Sequence, residues 1–190
     1  MHIPFGILIA VAYHTYTTSA HILRASQLSE HDALFLCMTE EFGLVRVRAT
    51  GARKEDSKLR YSLQVGAYVA LSLVQGKAGW RVTGAVLMEE PVFKTITLYA
   101  RLAKLAERLV HGAERNDALF QIFCACRTVP DVRSHELLLV IQMLVALGYV
   151  PPHIIETILE KPESERVAFI ESHRPVLLRT VNGALNASHL

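Results

Sequence analysis

The chain has 190 residues, of which 51% are hydrophobic and 20% are charged, and its formal net charge is +2. This length allows one large or two small domains with a real core, and the composition excludes a disordered chain. Because the net charge is small, any case for nucleic-acid binding must rest on local clustering of cations. The three cysteines, Cys37, Cys124 and Cys126, do not form a disulfide framework and predict a reduced cytoplasmic setting.

The N-terminus is apolar, with residues 7–12 at its centre. This run is shorter than the roughly 20 residues that span a bilayer, and no later run approaches that length. No Lys or Arg precedes it, so it matches a secretory signal poorly. We expect an N-terminal extension over residues 1–14 that forms either an extra first strand or a disordered lead-in.

Five strands are predicted between residues 17 and 88, at 20–24, 33–39, 44–49, 65–74 and 80–88. In the third run, Val45, Val47 and Ala49 alternate with Arg46 and Arg48, as in a half-buried strand with an open basic face. Residues 75–79 contain two glycines and predict a hairpin connection. Five short strands with no helical period between them predict a small closed barrel, a type that often binds oligonucleotides on one face.

A basic segment, which we define as residues 51–64, connects the third and fourth predicted strands. Between residues 46 and 60 there are six basic side chains against two acidic ones, a local excess twice the net charge of the whole chain. Such a segment between strands of a small barrel is typical of a surface that follows phosphates. The alternative is a solvated loop that keeps a sheet edge from aggregating. The six cations are Arg46, Arg48, Arg53, Lys54, Lys58 and Arg60.

Three aromatic residues could add base stacking to this surface, since single-strand binders pair a basic groove with exposed rings. The candidates are Tyr61, Tyr68 and Trp80. For each, burial in the barrel core is the alternative. Lys77 and Arg81 flank the beginning of the Trp80 strand and favour a binding face.

The second half of the chain, beyond residues 89–91, predicts a compact helical bundle. Asp117 and Ser134 are predicted N-caps, and Gly148 is a predicted stop signal. Residues 137–144 are apolar nearly all round and should lie at the bundle centre. The last stretch, 174–190, is amphipathic and basic, and it predicts one more bundle helix, a segment folded back on the barrel or a partner surface. The predicted helices are 92–110, 118–127, 136–147, 151–160, 163–172 and 175–185.

No catalytic or metal-binding motif is present in the order of the chain. Cys124 and Cys126 stand about 200° apart on a helix and cannot share an ion there. There is no CxxC, no glycine-rich phosphate loop, no GxSxG and no HExxH, and the nine histidines are scattered. We therefore expect no cofactor, no metal and no enzymatic activity. A nuclease or hydrolase that uses scattered His and Asp residues is the enzymatic alternative.

Four blocks of the first half resemble the N-terminal domain of the RecO family of DNA repair and recombination mediators. They are residues 16–23, 36–43 (LCMTEEFG), 51–59 (GARK and SKL) and 71–77. Residues 136–151 are similar to the helical domain of the same family, so the resemblance covers roughly residues 15–152. Residues 1–12 have no counterpart in that pattern.

The resemblance implies an α+β protein with a five-stranded OB-fold over residues 15–90 and an all-α domain over 91–190. It implies a protein that binds single- and double-stranded DNA, promotes annealing and helps to load the recombinase. The implied partners are single-stranded-DNA-binding protein, through its acidic-hydrophobic C-terminal tail, and RecR. No membrane contact is implied. The DNA-contact role falls on Arg53, Lys54, Lys58 and Arg60, with Arg46, Arg48 and Lys77 as neighbours.

One departure from the family pattern affects these expectations. Many members carry a four-cysteine zinc module after the segment that corresponds to residues 147–151, whereas residues 151–156 contain no cysteine. We therefore expect a short form without zinc, and partner contacts made by that module are not carried over. The alternative function is an interaction scaffold, in which barrel and bundle dock partner peptides without DNA binding of their own.

Overall fold

The protein is described by a computed structural model that covers residues 14–129 and 133–188. The interpretation of residues 1–12 as a strand or lead-in lies outside these ranges. Five strands form a closed barrel in the order β1-β2-β3-β5-β4, which confirms the predicted architecture. Their bounds are Thr15–Gln27 (β1), Ala33–Thr39 (β2), Gly43–Ala49 (β3), Tyr68–Gly76 (β4) and Gly79–Glu89 (β5).

The barrel closes because β1 pairs with both β2 and β4, and β5 joins β4 to β3. The β3–β5 pairing is parallel and short, with Val47 opposite Trp80 and Arg48 opposite Arg81. The other pairings are antiparallel, and β4 and β5 form the predicted hairpin with Gly76 opposite Gly79. The period-2 pattern of β3 is confirmed, since Val45, Val47 and Ala49 are buried while the arginines between them are exposed.

Strand β4 starts at Tyr68, later than the predicted start at residue 65. Two further elements differ more from the sequence expectations. Strand β1 starts at Thr15 because its polar residues 15–19 pair with β4 before the strand turns to β2. The basic segment is not all loop: Lys58–Ser62 forms a single-turn helix, α1. One turn is too short to show a helical period, so the pattern 51–64 could not reveal it.

The second half is helical, and its helices follow a short 3₁₀ turn at Phe93–Thr95. Helix α3 is capped by Asn116, whose side chain accepts a 2.8 Å hydrogen bond from the Leu119 amide, so the predicted cap at Asp117 is wrong by one residue. Asp117 instead occupies the first turn. The helices are Ile96–Leu109 (α2), Asp117–Cys126 (α3), Arg133–Ala146 (α4), His153–Leu159 (α5), Glu163–Ser172 (α6) and Arg174–Ala187 (α7).

Helix α4 lies at the centre of the bundle, as its apolar sequence predicted. It contacts α2, α3, α5, α6 and α7. Leu137, Ile141 and Leu144 pack in a bundle core together with side chains of α5, α6 and α7. The final helix, α7, is therefore one more bundle helix.

A separate junction core joins the barrel to the helices. The outer faces of β1 and β2 contribute Leu23, Leu36 and Met38, which pack against buried side chains of α2, α3 and α4. The Tyr99 hydroxyl of α2 donates a 3.2 Å hydrogen bond to the Ile22 carbonyl of β1. The barrel and the helices thus share apolar surface that neither half buries alone.

Arg127 fastens the same junction with a nearly buried guanidinium, 7% exposed. It donates to the Gly66 carbonyl at 2.6 Å and to the Glu90 carbonyl at 2.8 Å, and it pairs with Glu89 at 3.0 Å. Gly66 precedes β4, and Glu89 and Glu90 lie at the end of β5. The Arg127 side chain therefore connects both open ends of the β4–β5 hairpin to the C-terminal end of α3.

His21 is fully buried in this junction. Its ring lies 4.9 Å from that of Tyr68 and 5.1 Å from that of Phe120, and its Nε2 lies 3.3 Å from the Cys124 Sγ. Its Nδ1 has no hydrogen-bond partner among the described residues. Burial lowers the pKa of His21 from 6.5 to about 3, and the positive charge of Arg127 adds to this effect.

A glycine permits the helical half to approach the β2–β3 turn. Gly43 has φ of +63°, and a Cβ at this position would overlap the main-chain carbonyl of Glu114. The loop after α2 therefore packs directly on the barrel backbone.

Candidate nucleic-acid interface

All eight charged residues of the predicted surface are exposed, and they come from three elements of the barrel. These elements are the basic segment, the outer face of β3 and the β4–β5 hairpin, and the last two meet where Arg48 lies opposite Arg81. The eight residues are Arg53, Lys54, Lys58 and Arg60; Arg46 and Arg48; and Lys77 and Arg81.

The basic segment lies over one open end of the barrel, where it borders a cleft of about 390 Å³. We call this cleft the barrel mouth. Its polar rim includes Arg53 and Arg60, which the sequence predicted, and its floor is apolar. The lining residues are Ala25, Ser26, Gln27, Ala33, Phe35, Ala52, Arg53, Arg60 and Leu63.

Hydrogen bonds to the β1–β2 loop position the basic segment. Arg53 donates from its main-chain amide to the His31 carbonyl at 3.0 Å and from its guanidinium to the Ser29 carbonyl at 2.9 Å. The Gly51 amide donates to a carboxylate oxygen of Asp32 at 2.9 Å. Among the described residues, none of the segment's four cations takes part in an ion pair, so their charge faces solvent.

Arg48 is held by the same carboxylate. Its guanidinium lies 2.5 Å from the second oxygen of Asp32, and this hydrogen bond, with that from the Gly51 amide, keeps the pKa of Asp32 below its usual value. Arg81 lies beside Arg48 across the β3–β5 pairing. Much of the charge of Arg48 is therefore compensated locally, while Arg81 has no ion pair in the described ranges.

Arg46 is compensated by the helical half. Glu107 of α2 lies 3.2 Å from Arg46 and 3.1 Å from Arg24, so one carboxylate bridges two strands. The sequence could not show this contact, since Glu107 is 61 residues from Arg46. Arg46 thus has a structural partner as well as an exposed guanidinium.

The three aromatic candidates lie in different environments. Tyr61, on α1, is 66% exposed. Trp80 is half-buried, with its ring 4.9 Å from Phe42 and 5.5 Å from Tyr16. Tyr68 packs in the junction core against His21 and Phe120, on the helical side of the barrel. The structure therefore does not bring these three rings together.

Three cations that the sequence interpretation did not single out lie at a second cleft, which we call the junction groove. It measures about 480 Å³ and lies between β1, β2 and α2. Lys104 and Arg108 are four residues apart on α2, on the polar side of an amphipathic helix, and this spacing was the available signal. The lining residues are Leu23, Arg24, Ala25, Leu36, Val65, Ala100, Ala103, Lys104, Glu107 and Arg108.

The described residues offer no metal centre: within 14–129 and 133–188, no cluster of three or more His, Cys, Asp or Glu side chains could hold an ion. Burial raises the pKa of the Cys37 thiol. Burial also raises the pKa of the Cys124 thiol, so neither is activated as a thiolate. Over the same ranges, no helix combines the length and apolarity needed to cross a membrane. What the exposed cations can do chemically is bind anions such as phosphates.

Comparison with known proteins places this architecture. Residues 13–89, which include the whole barrel, match the family described as "Recombination protein O N terminal". The chain is 29% identical over 147 residues to a DNA repair protein RecO of Dehalococcoides mccartyi, a match that covers 73% of this chain and 58% of the relative. It is 32% identical over 124 residues to the RecO of a Cyanothece strain, covering 65% and 39% respectively.

A shorter match with higher identity is to the RecO of Synechococcus elongatus, 53% identical over 45 residues, or 24% of this chain and 17% of the relative. In all of these matches the chain spans less than two thirds of the length of the curated relative. The match at the barrel and the likeness that extends into the helical half agree with the resemblance noted in the sequence. The chain is therefore similar to RecO proteins over the whole barrel and into the helical half.

Proposed function

We propose that this chain acts in DNA repair and recombination by binding single- and double-stranded DNA without sequence preference. The barrel mouth and the basic segment around it form the contact surface. On this proposal the chain promotes annealing and recombinase loading together with partner proteins, and it is a binding protein rather than an enzyme. The observation that carries the proposal is the group of four exposed cations with no ion pair in the described structure, on a barrel that matches the N-terminal domain of recombination protein O.

The physical basis is release of counterions from the phosphate backbone. Each phosphate that a Lys or Arg neutralises in a single strand contributes about 0.7 to the slope of log affinity against log salt. Arg53, Lys54, Lys58 and Arg60 make a direct contribution, whereas Asp32 and Glu107 already compensate Arg48 and Arg46. Lys77 and Arg81 on the β4–β5 hairpin extend the surface on this proposal. Two aromatic residues are the candidates for base stacking on this proposal. Tyr61 is exposed on α1, and Trp80 is half-buried.

The test is a salt series of single-stranded DNA binding. Replacement of all four cations of the basic segment by alanine should weaken binding and reduce the salt slope by up to about 3. Unfolding measured by circular dichroism verifies that the variant is folded. If affinity and slope stay at the wild-type values, the basic segment is not the contact surface.

A matched pair of double variants separates position from total charge. Lys58→Ala with Arg60→Ala removes two cations of the basic segment, while Lys94→Ala with Arg179→Ala removes two exposed cations of the helical half. We expect the first pair to lower the slope by up to about 1.4 and the second to leave it nearly unchanged. Equal losses would indicate a diffuse effect of net charge.

The junction groove favours a second candidate function, peptide docking. Its floor is apolar, and Arg24, Lys104 and Arg108 lie at its edge against the single carboxylate of Glu107. An acidic-hydrophobic tail, such as the family resemblance implies for single-stranded-DNA-binding protein, matches this combination. RecR is a further proposed partner, on the family likeness alone.

Separate titrations distinguish the two functions. A fluorescent acidic peptide that ends in phenylalanine should bind the wild type, and Lys104→Ala with Arg108→Ala should weaken it. The same double variant should bind oligonucleotide nearly as the wild type does. Peptide binding without any oligonucleotide binding at moderate salt would favour the scaffold function over the DNA-binding function.

A further inference from the structure

We propose that the barrel mouth receives one unstacked nucleobase of a single DNA strand, with Arg53 and Arg60 holding phosphates of the same strand beside it. This inference rests on the proposed DNA-binding function and adds a base-binding site to it. It assigns a role to a cleft that phosphate contacts alone would leave unused.

The mouth exists because β1 and β2 continue past the closed part of the barrel. Ala25 is paired with Phe35, and Gln27 with Ala33, at this end of the sheet. Phe35 and Ala33 belong to the barrel core, yet they line the cleft. Both side chains are buried, each 5% exposed, so they form an apolar floor at which the cleft meets the edge of the barrel core.

The basic segment provides the other wall. Ala52 and Leu63, near its two ends, are buried in the barrel core and also line the cleft. Because both ends of the segment are fixed by burial, its cations are held at the rim rather than on a free loop. The hydrogen bond from Arg53 to the Ser29 carbonyl adds a second point of attachment.

The charge of the rim is complementary to a phosphorylated ligand. Within the part of the chain that the structure describes, no acidic side chain lines the mouth. Arg53 uses one guanidinium N–H on Ser29, which leaves four of its five donors for a ligand, and Arg60 has no ion pair among the described residues. Ser26 and Gln27 supply polar groups at the edge of the cleft.

The shape of the cleft and the positions of its two arginines suit a single nucleobase with its flanking phosphates. The cleft volume of about 390 Å³ lies at the small end of the usual range for ligand sites, about 300–1,000 Å³. The two guanidinium groups come from separate places, one beside the β1–β2 loop and the other on α1. A nucleobase within a strand is flat and apolar on its faces, and its nucleoside has a phosphate on each side, so two separated guanidinium groups can hold both phosphates.

The experiment compares an oligonucleotide of about 12 thymidines, within the length that an OB-fold contacts, with an abasic strand of equal length. Both carry the same phosphates, so contact with the backbone alone predicts equal affinity. We expect the wild-type chain to bind the abasic strand between about fivefold and a hundredfold more weakly. One thymine placed at the centre of the abasic strand should restore at least about fivefold of the lost affinity, because the mouth holds one base, and the remaining difference is then due to stacking on Tyr61 or Trp80.

A pair of Ala→Leu variants locates the effect. Ala25 is exposed and lines the mouth, and it also borders the junction groove, while Ala100 is exposed and lines the groove but not the mouth. Ala25→Leu should reduce thymidine binding towards the abasic value and leave abasic binding and the salt slope unchanged. Ala100→Leu should change neither. Both positions are exposed, so the larger side chains need not disturb the core, and thermal unfolding curves verify that both variants are folded.

The outcomes separate this inference from the proposed function. Equal binding of thymidine and abasic strands by the wild type overturns the base site and leaves the phosphate surface standing. Failure of both strands to bind at low salt overturns the DNA-binding function itself, and the base site with it. A base preference that Ala25→Leu does not diminish places the base elsewhere on the protein and overturns the assignment to the mouth.

Discussion

Acidification should destabilise this protein through His21, the buried histidine at the junction of barrel and helices. Its pKa is lowered from 6.5 to about 3 in the folded chain, chiefly because the ring is buried. The unfolded chain therefore binds a proton more readily than the folded chain does. As far as His21 determines it, the free energy of unfolding has its full value above about pH 6.5. It decreases as the pH falls from there towards about 3.

The loss of unfolding free energy at pH 5 is set by the pKa of His21 in the unfolded chain, because its folded pKa of about 3 lies well below 5. At pH 5 the proton is favoured in the unfolded chain by 1.5 pH units relative to 6.5, which corresponds to about 2 kcal/mol. Among the described residues, no acidic group favours the protonated ring of His21. Its ring neighbours Tyr68 and Phe120 are uncharged, and the nearby Arg127 opposes a second positive charge.

The assay is urea unfolding at pH 7.5 and pH 5 for the wild type and for His21→Phe, which keeps a ring and removes the titrating group. We expect the wild type to lose about 2 kcal/mol more than His21→Phe between the two pH values. His111→Gln, at an exposed position, is the control and should behave as the wild type does. If His21→Phe loses as much stability as the wild type, the buried histidine does not govern the acid response.

Three further changes test other contacts. Arg127→Ala should cost about 3 kcal/mol in urea unfolding, because two main-chain carbonyls lose hydrogen bonds from a charged donor. Gly43→Ala should lower the melting temperature more than Gly79→Ala: both glycines have positive φ, but only at Gly43 would the new methyl group overlap backbone. Equal effects of these two variants would mean that the loop after α2 moves aside easily. Glu107→Gln should release the two arginines that it bridges and steepen the salt slope of single-stranded DNA binding by up to about 1.4; an unchanged slope would exclude those arginines from the DNA surface.

Much of the fold could be predicted because its elements carry local signals. The alternation of valine and arginine in β3, the glycines of the β4–β5 hairpin and the prolines before α5 each depend on a few neighbouring residues. Apolar residues all round α4 placed it at the bundle centre. These features are set by backbone geometry and burial period, which a sequence shows directly.

The parts that could not be predicted depend on contacts between distant residues. The start of β1 is polar and becomes a strand only through pairing with β4. The partner of Arg46 is a carboxylate from α2, and Tyr68 lies on the helical side only because α3 packs there. A count of cations along the chain cannot distinguish charges that are already compensated from charges that face solvent.

The site prediction had the same limit. Charge density identified the basic segment, and the assignment of its cations to DNA contact remains a prediction for the binding experiments. The mouth itself was not visible in the sequence, since its floor consists of small and aromatic core residues that read only as strand interior. In the sequence, Lys104 and Arg108 show only that they belong to the polar face of α2. Their position at a groove depends on the barrel strands that pack beside this helix.

The junction core has a practical consequence for anyone who trims this protein. Truncation of the chain after Glu90 would expose an apolar strip on the outside of β1 and β2, formed by Leu23, Leu36 and Met38. We expect such a fragment to aggregate rather than to remain in solution as an independent domain. The barrel depends on the helices to keep this strip from solvent.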